Sequence, residues 1–112
     1  MEVYFVTRRL AAALSSDKQR VRTYGAGTAR RLHSRLSQLL DADNLGTMLS
    51  LSGACHELHQ NRAGQLGLNV TGNLRLIFKP TVDPPPEKPD GGLDWTSVTA
   101  ITILEVTDYH GR

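Results

Sequence analysis

The chain has 112 residues, 39% of them hydrophobic and 21% charged, with a single cysteine and a formal net charge of +2. That is the composition of one globular domain, residues 1–112, with a modest core. It excludes a disulfide framework and a multi-cysteine zinc site, and no apolar run nears the roughly 18 residues of a membrane-spanning helix.

The charge is unevenly spread. Residues 1–40 carry eight basic and two acidic side chains, whereas residues 80–112 carry two basic and six acidic ones. Ten of the thirteen basic residues are arginine, whose planar fork suits bidentate contact with phosphate. A solvated basic helix face is the plainer reading of the same pattern. The opening Met1-Glu-Val-Tyr-Phe-Val is too short and too acidic for a signal peptide. With the lone Cys55 it fits a protein of the reducing cytoplasm.

In chain order, residues 2–6 are expected to form a short strand and residues 8–14 a helical piece. Ser15 or Ser16 is placed to cap a further piece over 17–24, with Asp17 favourable in its first turn. Gly25-Ala-Gly27 interrupts it. Thr28 then reads as the N-cap of the clearest helix, 29–43, where Ala29, Leu32, Leu36, Leu39 and Leu40 fall at helical spacing. Arg30, Arg31 and Arg35 lie off that stripe, so they are the candidates for phosphate contact on the basic half. Asn44-Leu-Gly46 ends the helix. Met48, Leu49 and Leu51 are expected to pin the next loop to the core.

From Cys55 the period changes. Residues 55–59 read as a short strand. Leu66, Leu68 and Val70 alternate with polar or small residues, as a half-buried strand would. Thr71-Gly-Asn73 is a hairpin turn. Leu74, Leu76 and Phe78 then alternate with Arg75, Ile77 and Lys79. Residues 81–94 contain Pro84-Pro-Pro86, Pro89 and Gly91-Gly92, a loop with no core of its own. Residues 98–106 are apolar on both faces, as in a central strand. The order implies an α+β fold, two N-terminal helices packed on a mostly antiparallel sheet.

The chemistry-bearing residues gather late in the chain. The last strand delivers Asp108, Tyr109 and His110 together. His56 and His59 flank Glu57-Leu58, with Arg62 just beyond. Arg75 sits inside a strand and alternates against Leu74, Leu76 and Phe78, which puts it on the open face if those three meet the helices. An ion pair between Arg75 and Glu105 is the structural alternative to a phosphate contact. A metal held by His56 and His59 is disfavoured, since i and i+3 on a strand point to opposite faces. A Cys55 nucleophile beside His56 is disfavoured for the same geometric reason, and a lone cysteine is usually inert packing.

Four segments in register carry a family resemblance: Cys55-His-Glu-Leu58, Asn61-Arg-Ala-Gly-Gln65, Gly72-Asn-Leu-Arg-Leu-Ile-Phe78 and Ile103-Leu-Glu-Val-Thr-Asp-Tyr-His110. The chain resembles a RelE-superfamily toxin of the HigB (plasmid maintenance system killer) type over roughly residues 1–110. The resemblance implies a RelE-like fold and a ribosome-dependent mRNA endonuclease, held inactive by a cognate helix-turn-helix antitoxin of the HigA kind. It implies a catalytic set of His56, Arg75, Asp108, Tyr109 and His110 and RNA contact by His59, Arg62 and the basic Arg30, Arg31 and Arg35; the cysteine count and the absence of a carboxylate cluster argue for cleavage with no metal or cofactor. His59 stands where relatives often carry lysine, and Gly111-Arg112 extends past the usual end.

The residues support that chemistry independently. RNA cleavage by its own 2′-OH needs a proton acceptor, a donor for the 5′-oxygen and a cation over the phosphorane. Imidazoles can exchange those protons near neutrality, and a guanidinium can span two phosphorane oxygens. Two rivals remain. A ParE-like gyrase inhibitor would need no acid–base residues, and a non-catalytic basic RNA-binding module would use the histidines structurally.

Overall fold

The computed structural model describes residues 1–108; Tyr109 and His110 of the expected catalytic set lie outside them. Three helical segments lie along a five-stranded sheet. In chain order the elements are β1 (Glu2–Phe5), α1 (Arg8–Leu14), α2 (Asp17–Tyr24), α3 (Ala26–Asp41), β2 (His56–Glu57), β3 (Leu66–Asn69), β4 (Leu74–Pro80) and β5 (Ala100–Asp108). The sheet order is β1-β5-β4-β3-β2. β1 runs parallel to β5, and every other pairing is antiparallel. The α+β class and the central position of the last strand are as the sequence implies. No helix among the described residues is long and apolar enough to cross a membrane.

The helices begin where side chains can satisfy free backbone N–H groups. Thr7 accepts from Leu10 N, and Ser16 from Gln19 N, with Asp17 in the first turn of α2. Gly25, at φ +86°, donates back to Val21 O and accepts from Ala29 N. It therefore ends α2 and starts α3, a backbone conformation that costs glycine little. This corrects the expected start: α3 opens at Ala26, not behind a Thr28 cap, and Gly27 is absorbed in its first turn. The helical pieces expected over 8–14 and 17–24 form as α1 and α2.

Leu32, Leu36 and Leu39 of α3 are buried against Leu66, Leu68, Leu76, Phe78, Ile101 and Ile103 of the sheet, and Leu14, Leu45, Met48 and Val98 close the core. Leu40 does not belong to the buried stripe; it is 57% exposed. Of the loop residues expected to pin 45–51, Met48 is buried with Leu45, whereas Leu49 is 62% exposed. The amino group of Met1 donates to the carbonyls of Leu39 and Leu40 and thus ties β1 to the C-terminal turn of α3, where the helix dipole favours a cation.

The proline-rich segment is a loop, as expected, but it packs more closely than its composition implies. Glu87 bridges to Leu93, and Asp94 N donates to Pro86 O. Leu93 and Trp95 pack against the core. The Asp94 carboxylate accepts from the Ser97 and Thr96 hydroxyls at 2.7 and 3.0 Å, which hold its carboxyl below the usual range.

One irregularity decides what the open face carries. Between β4 and β5 the register shifts: Phe78 pairs with Ile103, but Ile77 pairs with Glu105. Leu104 is the extra residue. Strict alternation from the buried Ile103 would turn Glu105 and Thr107 towards the helices. The bulge reverses the phase, so Val106 packs on the core while Glu105 and Thr107 share the opposite face with Ile77 and Arg75.

Candidate active site

The face of the sheet away from the helices is built row by row from the strand pairing. One row holds His56 of β2, Gly67 of β3, Ile77 of β4 and Glu105 of β5. The next holds Asn69, Arg75 and Thr107. Directly paired residues share a face, so His56 and Arg75 lie on the same one. From strand spacing and rise their Cα atoms are roughly 12 Å apart, a span that a phosphate and its adjoining nucleotide can bridge.

His56 is exposed on the edge strand. Its Nδ1 lies 2.7 Å from the carbonyl oxygen of Ala54. A carbonyl only accepts, so Nδ1 carries the hydrogen and Nε2 is left as the nitrogen that can take up a proton. Ala54 reaches that position with φ +51°, directly after Gly53 at φ +112°. Gly67 makes room for Leu58: a Cβ there would lie 3.3 Å from Leu58 Cδ2, and in ordinary contact with the His56 ring at 3.6 Å from Cε1. Leu58 and Ile77, both buried yet outside the main core cluster, give the site an apolar floor. Ile77, which the alternation assigns to the open face, is thus fully buried there.

Arg75 is half-buried, and its Nη1 donates to the carbonyl of Leu74 at 3.5 Å. Glu105, the carboxylate that the sequence offers it, instead accepts from Arg62 Nη2 at 2.9 Å. Arg62 Nη1 also donates to Gln65 Oε1 at 3.0 Å. Its guanidinium thus ties the turn Gln60–Arg62 across the sheet to β5. Asp108, exposed, pairs with Leu74 at the end of β5 and so shares the helix-side face of Leu74, not the face that holds His56 and Arg75. His59 is exposed at the start of the Gln60–Arg62 turn, away from the row that holds His56.

Of the three basic residues on α3, Arg30 and Arg31 are exposed together on one surface. Arg35 differs. Its Nε donates to Asn69 O at 2.7 Å, and its Nη1 donates to Ser52 Oγ at 3.1 Å and Gln38 Oε1 at 3.3 Å. It clamps α3 to the end of β3 beside the residue paired with Arg75. Helical spacing reports which face a side chain leaves from, not how far it reaches, so this role has no local signal.

Cys55 is buried, and burial pushes its thiol up to about 12. A thiol held neutral at physiological pH is a poor nucleophile and a poor metal ligand. Among the described residues no three His, Cys, Asp or Glu side chains converge as metal ligands would. A contact with no sequence signal joins Trp95 Nε1 to Glu57 Oε2 at 3.4 Å, which brings the proline-rich loop against the strand that carries His56.

No protein-family model and no curated protein sequence matches the chain. Solved structures do. A YoeB/ParE toxin from Agrobacterium tumefaciens aligns over 98% of this chain and 100% of its own, with a TM-score of 0.59 and 10% identity. A YoeB-YefM complex from Staphylococcus aureus aligns over 98% of this chain and 97% of its own, with a TM-score of 0.55 and 15% identity. The chain shares their fold.

Proposed function

We propose that this protein is the toxin of a toxin–antitoxin pair, of the HigB-like type, and that it cleaves mRNA on the ribosome. The observation that carries the reading is the pairing of His56 and Arg75 on one open face of a sheet with this fold. An arginine inside a strand is poorly explained by packing, and an imidazole with one nitrogen fixed and the other available is suited to proton transfer.

In this mechanism the 2′-oxygen attacks the adjacent phosphorus and the 5′-oxygen departs. The products are a 2′,3′-cyclic phosphate and a 5′-hydroxyl. One base takes the 2′-OH proton, and one acid returns a proton to the 5′-oxygen. His56 Nε2 fills one of those roles. The resemblance assigns the other to His110, with Tyr109 and Asp108 beside it. Arg75 stabilises the charge on the phosphorane oxygens. No step requires a metal or cofactor. Arg30 and Arg31 supply salt-sensitive affinity for ribosomal RNA. The partner that restrains the protein is a small helix-turn-helix antitoxin, and the setting is the cytoplasm.

The second reading is a gyrase-inhibiting toxin, since one structural neighbour is named a YoeB/ParE toxin. Induced expression in a bacterial host separates them. The ribonuclease reading expects protein synthesis to stop at once, and expects Arg75→Ala to abolish that arrest. DNA damage with continuing translation would favour the gyrase reading.

A further inference from the structure

Arg62 and Glu105 form an ion pair across the open face, at 2.9 Å, with both side chains only partly exposed. The bulge at Leu104 aims Glu105 at this face, one row from the Arg75–Thr107 pair. Same-face diagonal neighbours on adjacent antiparallel strands stand about 7 Å apart at Cβ. Glu105 and Arg75 are both long enough to close that gap. A carboxylate so near would lower the affinity of the Arg75 region for phosphate, by charge and by competition for the guanidinium. Arg62 offsets this. Its two terminal nitrogens are committed to Gln65 and Glu105, an arrangement that restrains the carboxylate rather than presenting the guanidinium to a ligand.

We infer that Arg62 is a positioning residue that holds and neutralises Glu105, and so keeps the Arg75 face receptive to an RNA phosphate. The choice of RNA as the anion rests on the function proposed above; the charge relation does not. Arg62 then acts on RNA through Glu105 and not by touching it.

The test is a double-mutant cycle read by equilibrium binding of a short 2′-O-methyl RNA, which cannot be cleaved. The proteins are the parent, Arg62→Gln, Glu105→Gln and the double variant, each with its melting temperature. Uncovering one carboxylate beside Arg75 at partly screened distance should weaken binding about five- to tenfold in Arg62→Gln. Glu105→Gln should bind more tightly than the parent, because it removes a negative charge from the face and leaves that of Arg62 in place. The double variant should return to within about twofold of the parent, because the charge that Arg62 covered is gone. Lys18→Gln, which removes one charge from α2 on the other side of the sheet, should change affinity by less than about twofold.

If the double variant bound as weakly as Arg62→Gln, Arg62 would contact RNA directly and the inference would fail. If both single variants weakened binding alike and the double gave no recovery, the pair would be a mechanical tie, and the inference would again fail. Should Arg62→Gln not fold, Glu105→Gln decides alone: tighter binding supports the inference, and equal or weaker binding overturns it. A parent that binds with this pattern but cuts no mRNA on ribosomes would contradict the proposed function and leave the charge relation standing.

Discussion

The carbonyl oxygen of Ala54 accepts from Nδ1 of His56 at 2.7 Å, and this one bond assigns the two nitrogens of the imidazole different tasks. Nδ1 anchors the ring to its own strand entry, and Nε2 is left as the proton-accepting nitrogen. Asn can keep an Nδ1-like donor to Ala54 without offering a proton-accepting nitrogen. His56→Asn should therefore fold normally, with stability within about 0.5 kcal/mol of the parent as for most exposed sites. Its single-turnover cleavage should fall by about two orders of magnitude. Parent-like cleavage by a folded His56→Asn protein would remove His56 from the acid–base pair.

Arg75→Lys keeps the charge but replaces a fork with a compact ammonium. It should retain part of the cleavage rate. Arg75→Ala should lose about 3 kcal/mol of transition-state stabilisation, roughly two orders of magnitude in rate. Melting temperature measured beside single-turnover cleavage separates chemistry from fold. A stable Arg75→Ala protein cleaving at the parent rate would exclude the phosphate role.

The arginines of α3 should divide into two kinds. Arg35→Ala breaks the bonds to Asn69 O and Ser52 Oγ and should cost about 1–3 kcal/mol of stability, since a carbonyl at the end of β3 loses a charged donor. Reversing Arg30 and Arg31 to Glu should leave the melting temperature nearly unchanged. It should instead weaken ribosome association and flatten its salt dependence. Unaltered association across a salt titration would locate the ribosome contact elsewhere.

Cys55 should resist alkylation in the folded protein at pH 8, because burial raises its thiol pKa to about 12 and leaves almost no thiolate there. The same reagent should modify it fully in denaturant. Rapid labelling of the native protein, followed by intact-mass measurement, would contradict the burial that excludes Cys55 from chemistry.

The parts of this molecule legible in the sequence are those governed by local period. The Leu32, Leu36 and Leu39 stripe, the Ser16 cap and the alternation around Arg75 each follow from residues within one turn or one strand. Leu40 and Thr28 depart from the local pattern for a related reason. Spacing places Leu40 at the margin of the apolar stripe, and the margin is decided by what the sheet covers. Thr28 looks like a cap because Gly27 looks like a break, yet Gly25 alone makes the turn.

Long-range relations were not legible. Arg35 reaches Asn69, Trp95 reaches Glu57, and Arg62 takes Glu105, the carboxylate expected as the partner of Arg75. The last depends on a bulge that reverses the phase of β5 at Leu104, and a run that is apolar on both faces carries no mark of where its phase turns. Of the expected catalytic set, His56 and Arg75 share one face. Asp108 stands at the adjacent strand end. Tyr109 and His110 lie outside the described residues.

The chemistry of the cut ends tests the central claim most directly. Programmed ribosomes are incubated with the purified protein, and the mRNA fragments are analysed for their termini. Attack by the 2′-OH predicts a 2′,3′-cyclic phosphate, or the monophosphate it hydrolyses to, on the upstream fragment, and a 5′-hydroxyl on the downstream one. A 5′-phosphate on the downstream fragment, or intact mRNA, would contradict the account.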